Sequence, residues 1–219
     1  MGKHTYGIDR RRVQLAALAL AAALCLAGAG AQARKLHVVA FGDSLTAGLG
    51  LPEGDAFPAV LQRALAARGR DVEIVNAGVS GETAEDGLAR YDWTVPPETD
   101  AVILELGAND MLRGMAPEGA KAALAEILAR LKKAGIPTLL AGMRAAPNLG
   151  ADYQRRFDAI YPDLADRYGA ALYPFFLEGV AGDPALNQKD GLHPTRAGVD
   201  RIVAAMLPAV EEVLAHARP

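Results

Sequence analysis

Cysteine is all but missing: the 219-residue chain has one, Cys25. A single thiol closes no internal disulfide and builds no cysteine metal site, and its place inside an apolar leader-like run removes it as a nucleophile of the folded domain. There is no HExxH and no Cys/His cluster, so no metal is expected. Neither GxxxxGK[ST] nor a properly placed GxGxxG occurs, which excludes a phosphate-loop lysine and a dinucleotide fingerprint; no cofactor is expected. Charge of one sign is not in large excess either, at a formal net charge of −3. Low-complexity segments and internal repeats are lacking as well, which argues against linkers and solenoids.

What is there begins with a separate N-terminal segment. Lys3 and Arg10, Arg11 and Arg12 precede an apolar run from about Val13 to Gly28, which closes on Ala31-Gln32-Ala33, a small-x-small cleavage pattern. Residues 1–33 therefore read as a signal peptide, with 34–219 as one domain exported to the periplasm or secreted. The run is rich in alanine and near the lower length limit for a spanning helix, which favours cleavage over anchoring. Cleavage would remove four basic residues and one acidic residue, moving the net charge from −3 to −6. A mildly acidic surface argues against a nucleic-acid partner.

From Arg34 onward, short β-rich apolar runs alternate with helix-patterned stretches. Strands are predicted at about 36–41, 72–77, 101–106, 138–143 and 170–176. Helices are predicted at 57–69, 81–91, 117–135 and 153–169, with a last one starting at Pro194. Continuously apolar strands joined by helices imply a parallel sheet covered on both faces, a three-layer α/β domain. Functional groups in such a sheet collect beyond the carboxyl ends of the strands.

The polar motifs fall on that rim. Gly42-Asp43-Ser44 follows the first strand, Asn76-Ala77-Gly78 the second, Gly107-Ala108-Asn109-Asp110 the third, and Asp190-Gly191-Leu192-His193-Pro194 follows the fifth after a loop. Acyl transfer needs this set: a nucleophile, a base, a carboxylate that orients the base, and donors converging on one carbonyl. Ser44 is the candidate nucleophile, the competing reading being a helix N-cap. His193 suits the base, and Asp190, three residues earlier, is close enough to accept its Nδ1–H. Gly78 offers an unobstructed backbone N–H and Asn109 a neutral amide donor. Asp43 is assigned to bracing the turn. Ser80, in GVSGE, lacks the last glycine of GxSxG and is the weaker nucleophile. Leu49, Leu51, Met111, Leu112, Met115, Met143 and Leu192 lie near the rim and either hold a substrate chain or belong to the core; Met111, Leu112 and Leu192 are the choices for substrate binding.

The ordered blocks FGDSLTAG, NAGVSGET, LGAND and DGLHP together resemble the GDSL or SGNH hydrolase family, named for its Ser, Gly, Asn and His. The form GDSLTAGLG is similar to the bacterial thioesterase, lysophospholipase and arylesterase branch. The resemblance implies a flavodoxin-like strand order, a Ser44–His193–Asp190 triad, and an oxyanion hole from the Ser44 and Gly78 N–H groups and the Asn109 side chain. It also implies small acyl esters, thioesters or lysophospholipids as substrates. A monomer is expected, meeting a membrane only through its export signal or a lipid substrate. A carbohydrate acetylesterase on the same triad and a non-catalytic doubly wound binding domain are the alternatives.

Overall fold

The computed structural model describes residues 34–217; the segment 1–33, read above as a signal peptide, lies outside them. Chain order runs β1 (Leu36–Gly42), α1 (Ser44–Ala47), α2 (Phe57–Ala66), β2 (Val72–Gly78), α3 (Ala84–Ala89), α4 (Tyr91–Thr94), β3 (Ala101–Glu105), α5 (Ala108–Leu112), α6 (Pro117–Ala134), β4 (Thr138–Ala141), α7 (Ala151–Asp158), α8 (Ile160–Tyr168), β5 (Ala171–Tyr173) and α9 (Arg196–Ala215). All strand pairs are parallel, in the order β2-β1-β3-β4-β5, the flavodoxin-like arrangement.

Strands β3 and β4 are buried at every position and apolar throughout except for Glu105 at the end of β3 and Thr138 at the start of β4. Two helix groups cover the sheet: α2 packs with α9, and α6 packs with both α3 and α8. Their inward side chains, among them Leu61 and Leu65 of α2, Leu124 and Ile127 of α6 and Ile202 and Met206 of α9, meet the sheet in one core. In the register, Gly42 stands beside both Gly78 and Glu105, so β1, β2 and β3 finish level and release their loops onto one rim.

Three expected elements differ. The helix over 153–169 is two, α7 and α8, parted at Ala159. Pro162 explains the break: it has no N–H for the carbonyl four residues earlier, and its ring crowds that carbonyl. Strand β5 holds three residues instead of seven because Pro174 supplies no N–H to a ladder. The last helix begins at Arg196, capped by Thr195, whose Oγ accepts the Gly198 N–H at 3.3 Å. Pro194 therefore precedes the helix instead of opening it, and pairs with Asn187 in an antiparallel bridge.

Candidate active site

The turn after β1 positions the first group. Asp43 is the N-cap of α1, its Oδ1 accepting the Leu45 N–H at 3.0 Å. Ser44 is thus the first helical residue and not the cap, which leaves its hydroxyl free for other work. That hydroxyl meets His193: Nε2 lies 2.9 Å from Ser44 Oγ. On the far side of the ring, Nδ1 lies 2.7 Å from Asp190 Oδ2.

The short loop around Asp190 makes this alignment local. Asp190 Oδ1 accepts the N–H groups of Leu192, at 2.9 Å, and of His193, at 3.0 Å, so one carboxylate oxygen shapes the loop while the other faces the imidazole. The His193 N–H, then the Leu192 N–H, then the imidazole hold the Asp190 carboxyl down at about 2. Gln188 ties this loop to the serine turn, donating from Nε2 to Leu49 O at 2.7 Å and to Pro194 O at 3.0 Å. Sequence reasoning missed Gln188; its nearness to the DGLHP block was the available signal.

Asn109 enters from the turn after β3. Its Nδ2 donates to Asp43 Oδ2 at 3.1 Å and to Glu82 O at 2.9 Å. The carbonyl that receives it belongs to the loop after β2, which Arg90 holds in place. Arg90 reaches Glu82 Oε2 at 2.6 Å from Nε, and Ala77 O and Gly42 O at 2.9 and 3.1 Å from Nη2. The same guanidinium lies over the Phe41 ring, 4.5 Å from its centroid. One arginine so fastens the ends of β1 and β2 to the loop between them and α3.

Gly78 requires correction. It is the last residue of β2, its N–H is taken by Asn76 Oδ1 at 3.0 Å, and a Cβ there would collide with the Ala47 backbone of α1. It packs beneath the nucleophile helix and is not among the residues lining the cavity. Gly81 is: it has φ +88°, lines the cavity with Ser44, Asn109 and His193, and its carbonyl accepts Arg113 Nη2 at 2.6 Å. Ser80 is exposed, and His193 is bonded to Ser44 instead.

The cavity has a volume of about 460 Å³. Met111, Leu112, Met143 and Leu192 line it, joined by Phe175 and Leu177, while Leu51 and Met115 do not. Leu49 lines it as well. Phe175 and Leu177 follow the short β5 and reach the rim because that strand stops early. A wider depression of about 790 Å³ lies around Pro137, Thr138 and Ala171, at the opposite ends of β4 and β5, and holds no paired nucleophile and base. Among the described residues no His/Cys/Asp/Glu group suits a metal ion.

Beneath the turn, Glu105 is fully buried, and its Oε2 accepts Thr46 Oγ1 at 2.8 Å and the Asp43 N–H at 3.4 Å. Burial first, then the Asp43 charge, push the Glu105 carboxyl well above its ordinary range; burial pushes Asp43 up to about 6. Gly42 is glycine for the same reason, since a Cβ would run into Thr46 Oγ1 and the Glu105 carboxyl.

Residues 40–201 match the GDSL-like lipase/acylhydrolase family. The chain belongs to that family. It is a carboxylic ester hydrolase of the GDSL, or SGNH, type. It is 39% identical over 199 residues to esterase TesA of Pseudomonas aeruginosa, covering 90% of this chain and 99% of that one. It is 36% identical over 176 residues to thioesterase 1/protease 1/lysophospholipase L1 of Escherichia coli K12, covering 80% and 83%. The crystal structure of AlinE4, an SGNH-hydrolase family esterase, superposes with a TM-score of 0.70 at 49% identity, covering 84% of this chain and 99% of that one. In the GDSL hydrolase fold seen here, the serine, histidine and asparagine of the four blocks face one cavity, and the glycine that joins them is Gly81.

Proposed function

We propose that the protein is an exported serine esterase that hydrolyses acyl esters and thioesters, lysophospholipids among them, through a Ser44–His193–Asp190 triad and an acyl-enzyme. The observation that carries this is the placement of His193, one ring nitrogen on Ser44 Oγ and the other on Asp190, at an apolar cavity. Asp190 receives Nδ1–H and so leaves Nε2 as the acceptor for the serine proton.

Ser44 Oγ attacks the ester carbonyl carbon as Nε2 takes its proton. The tetrahedral intermediate collapses when the imidazolium returns that proton to the leaving alkoxide or thiolate. Water, deprotonated by Nε2, then attacks the acyl-enzyme, and the acid departs with Ser44 restored. The developing oxyanion is met by the Ser44 and Gly81 N–H groups and by Asn109 Nδ2. The amide makes this contact by exchanging Glu82 O for the substrate oxygen.

The apolar walls favour an acyl chain over a carbohydrate acetate. Export, where acyl-CoA is scarce, favours lysophospholipids and simple esters as natural substrates. Every group of the site comes from one chain, in keeping with a monomer. The test uses residues 34–219 with para-nitrophenyl esters from acetate to palmitate and with a lysophospholipid. Turnover is expected, and Ser44→Ala should lower it by about 10⁴-fold or more. A folded but inert wild-type protein would overturn the reading. N-terminal sequencing of the exported chain is expected to begin at Arg34.

A further inference from the structure

Asp43 and Glu105 are both fully buried, and among the described residues no lysine or arginine contacts either carboxyl. Glu105 Oε2 lies 3.4 Å from the Asp43 backbone N and the Asp43 charge acts on Glu105; two carboxyls buried this near each other without a cation do not both ionise, so a proton stays on one of them. The hydrogen bonds say which. Asp43 receives donors on both oxygens, Leu45 N–H on Oδ1 and Asn109 Nδ2 on Oδ2. Glu105 Oε1 has no partner, an arrangement far less costly for a neutral acid than for a carboxylate. Asp43 is the carboxylate of the pair and Glu105 the acid. The other titratable groups that act on Asp43 are His193 and Asp110.

A primary amide has two nearly isosteric ends, and rotation about the last bond swaps a donor for an acceptor. Only the amino end of Asn109 helps a developing oxyanion; the carbonyl end repels it. A carboxylate accepts and never donates, so it tolerates one orientation of the amide. The geometry points to Asp43 as a positioning residue: its carboxylate acts through Asn109, locking Nδ2 toward the site where negative charge develops, while neutral Glu105 leaves the charge on Asp43. One Nδ2 hydrogen stays on Asp43 throughout, and the other passes from Glu82 O to the substrate. This rests on the oxyanion role of Asn109 proposed above.

A double-mutant cycle in residues 34–219 tests it, with para-nitrophenyl butyrate as substrate. Asp43→Asn keeps the cap to Leu45 but lets the Asn109 amide turn over. It should lower kcat by about tenfold to a hundredfold with KM within about twofold, since one oxyanion donor is typically worth about 10²–10³ in kcat. In an Asn109→Ala background the same substitution should change kcat by less than about twofold, because the group it acts through is gone. Equal losses in both backgrounds would assign Asp43 to the turn alone and overturn the inference. If Asn109→Ala by itself leaves kcat unchanged, it is the oxyanion role of Asn109 that fails. Asp43→Ser guards against misfolding: serine caps Leu45 but is too short to hold Asn109, so it should give the same pattern, and full activity in this variant would also overturn the inference.

Discussion

His193 Nε2 lies 2.9 Å from Ser44 Oγ although 149 residues separate them in the chain. The contact spans the sheet: the serine follows inner strand β1, and the histidine sits on the segment that returns from edge strand β5. Its precision depends on Asp190, which shapes the histidine loop with one oxygen and holds the ring with the other.

Asp190→Asn should therefore lower kcat by about 10⁴-fold with little change in KM, because an amide can select the wrong imidazole tautomer. Because the Asp190 carboxyl is held at about 2, its contribution to the folded loop is present above the ordinary carboxylate range and fades as pH falls toward 2. Single-turnover kinetics at neutral pH, with circular dichroism as a folding control, check the first point. Acid unfolding of the variant beside wild type checks the second.

Glu105→Gln should raise the melting temperature at pH 8. The folded state holds the proton of this carboxyl well above the range in which the unfolded chain releases it. The unfolded chain thus loses its proton first as pH rises through about 4, and wild-type stability declines from there upward. Glutamine lacks that penalty and can still accept from Thr46 and the Asp43 N–H. Melting curves for the two proteins should converge toward pH 4; a variant less stable than wild type at pH 8 would contradict a neutral Glu105.

Thr83→Ala should cost about 1 kcal/mol. Thr83 and Asp86 form a reciprocal capping box at the start of α3, with Thr83 N–H to Asp86 Oδ2 at 2.9 Å and Asp86 N–H to Thr83 Oγ1 at 3.2 Å. For a domain of this size that is about 2–4 °C in Tm, readable by calorimetry.

Phe175→Ala should shift the chain-length optimum upward. The ring forms part of the cavity wall, and its loss opens room for further methylenes. Each newly enclosed methylene is worth about 0.8 kcal/mol, or about fourfold in kcat/KM. The ratio of octanoate to butyrate turnover measures it, and an unchanged ratio would place the acyl chain elsewhere.

The architecture was readable because its signals are local: apolar runs such as LHVVA, glycine at the end of α6 and of α8, and polar groups after the first, second, third and fifth strands. Ser44, Asn109, Asp190 and His193 were located by the same logic, and the structure brings all four together. Gly78 was chosen because nothing in NAGVSGET reveals that β2, in register with β1, runs through Gly78, which leaves Gly81 and not Gly78 lining the cavity. Glu105 looked like one more strand residue, since its buried contacts to Asp43 and Thr46 come from a helix some sixty positions away. Gln188 works through backbone carbonyls, and so does Arg90 beyond its ion pair with Glu82; bonds to carbonyls leave no pattern of partner residue types to detect. Phe175 and Leu177 were hidden by drawing β5 through Pro174.

The return segment from β5 has one more consequence. From β1 to β5 the sheet takes three strand steps, about 14 Å, which the chain recrosses between Pro174 and Thr195 without regular strand or helix. Asn187, with Nδ2 to Val180 O at 2.6 Å and to Asp183 O at 2.9 Å, and Gln188 are its main fasteners. Such a span opens at lower free energy than the sheet it crosses. Low denaturant should then silence the enzyme by releasing His193 while β1, β3 and β4 still protect their amides from hydrogen exchange.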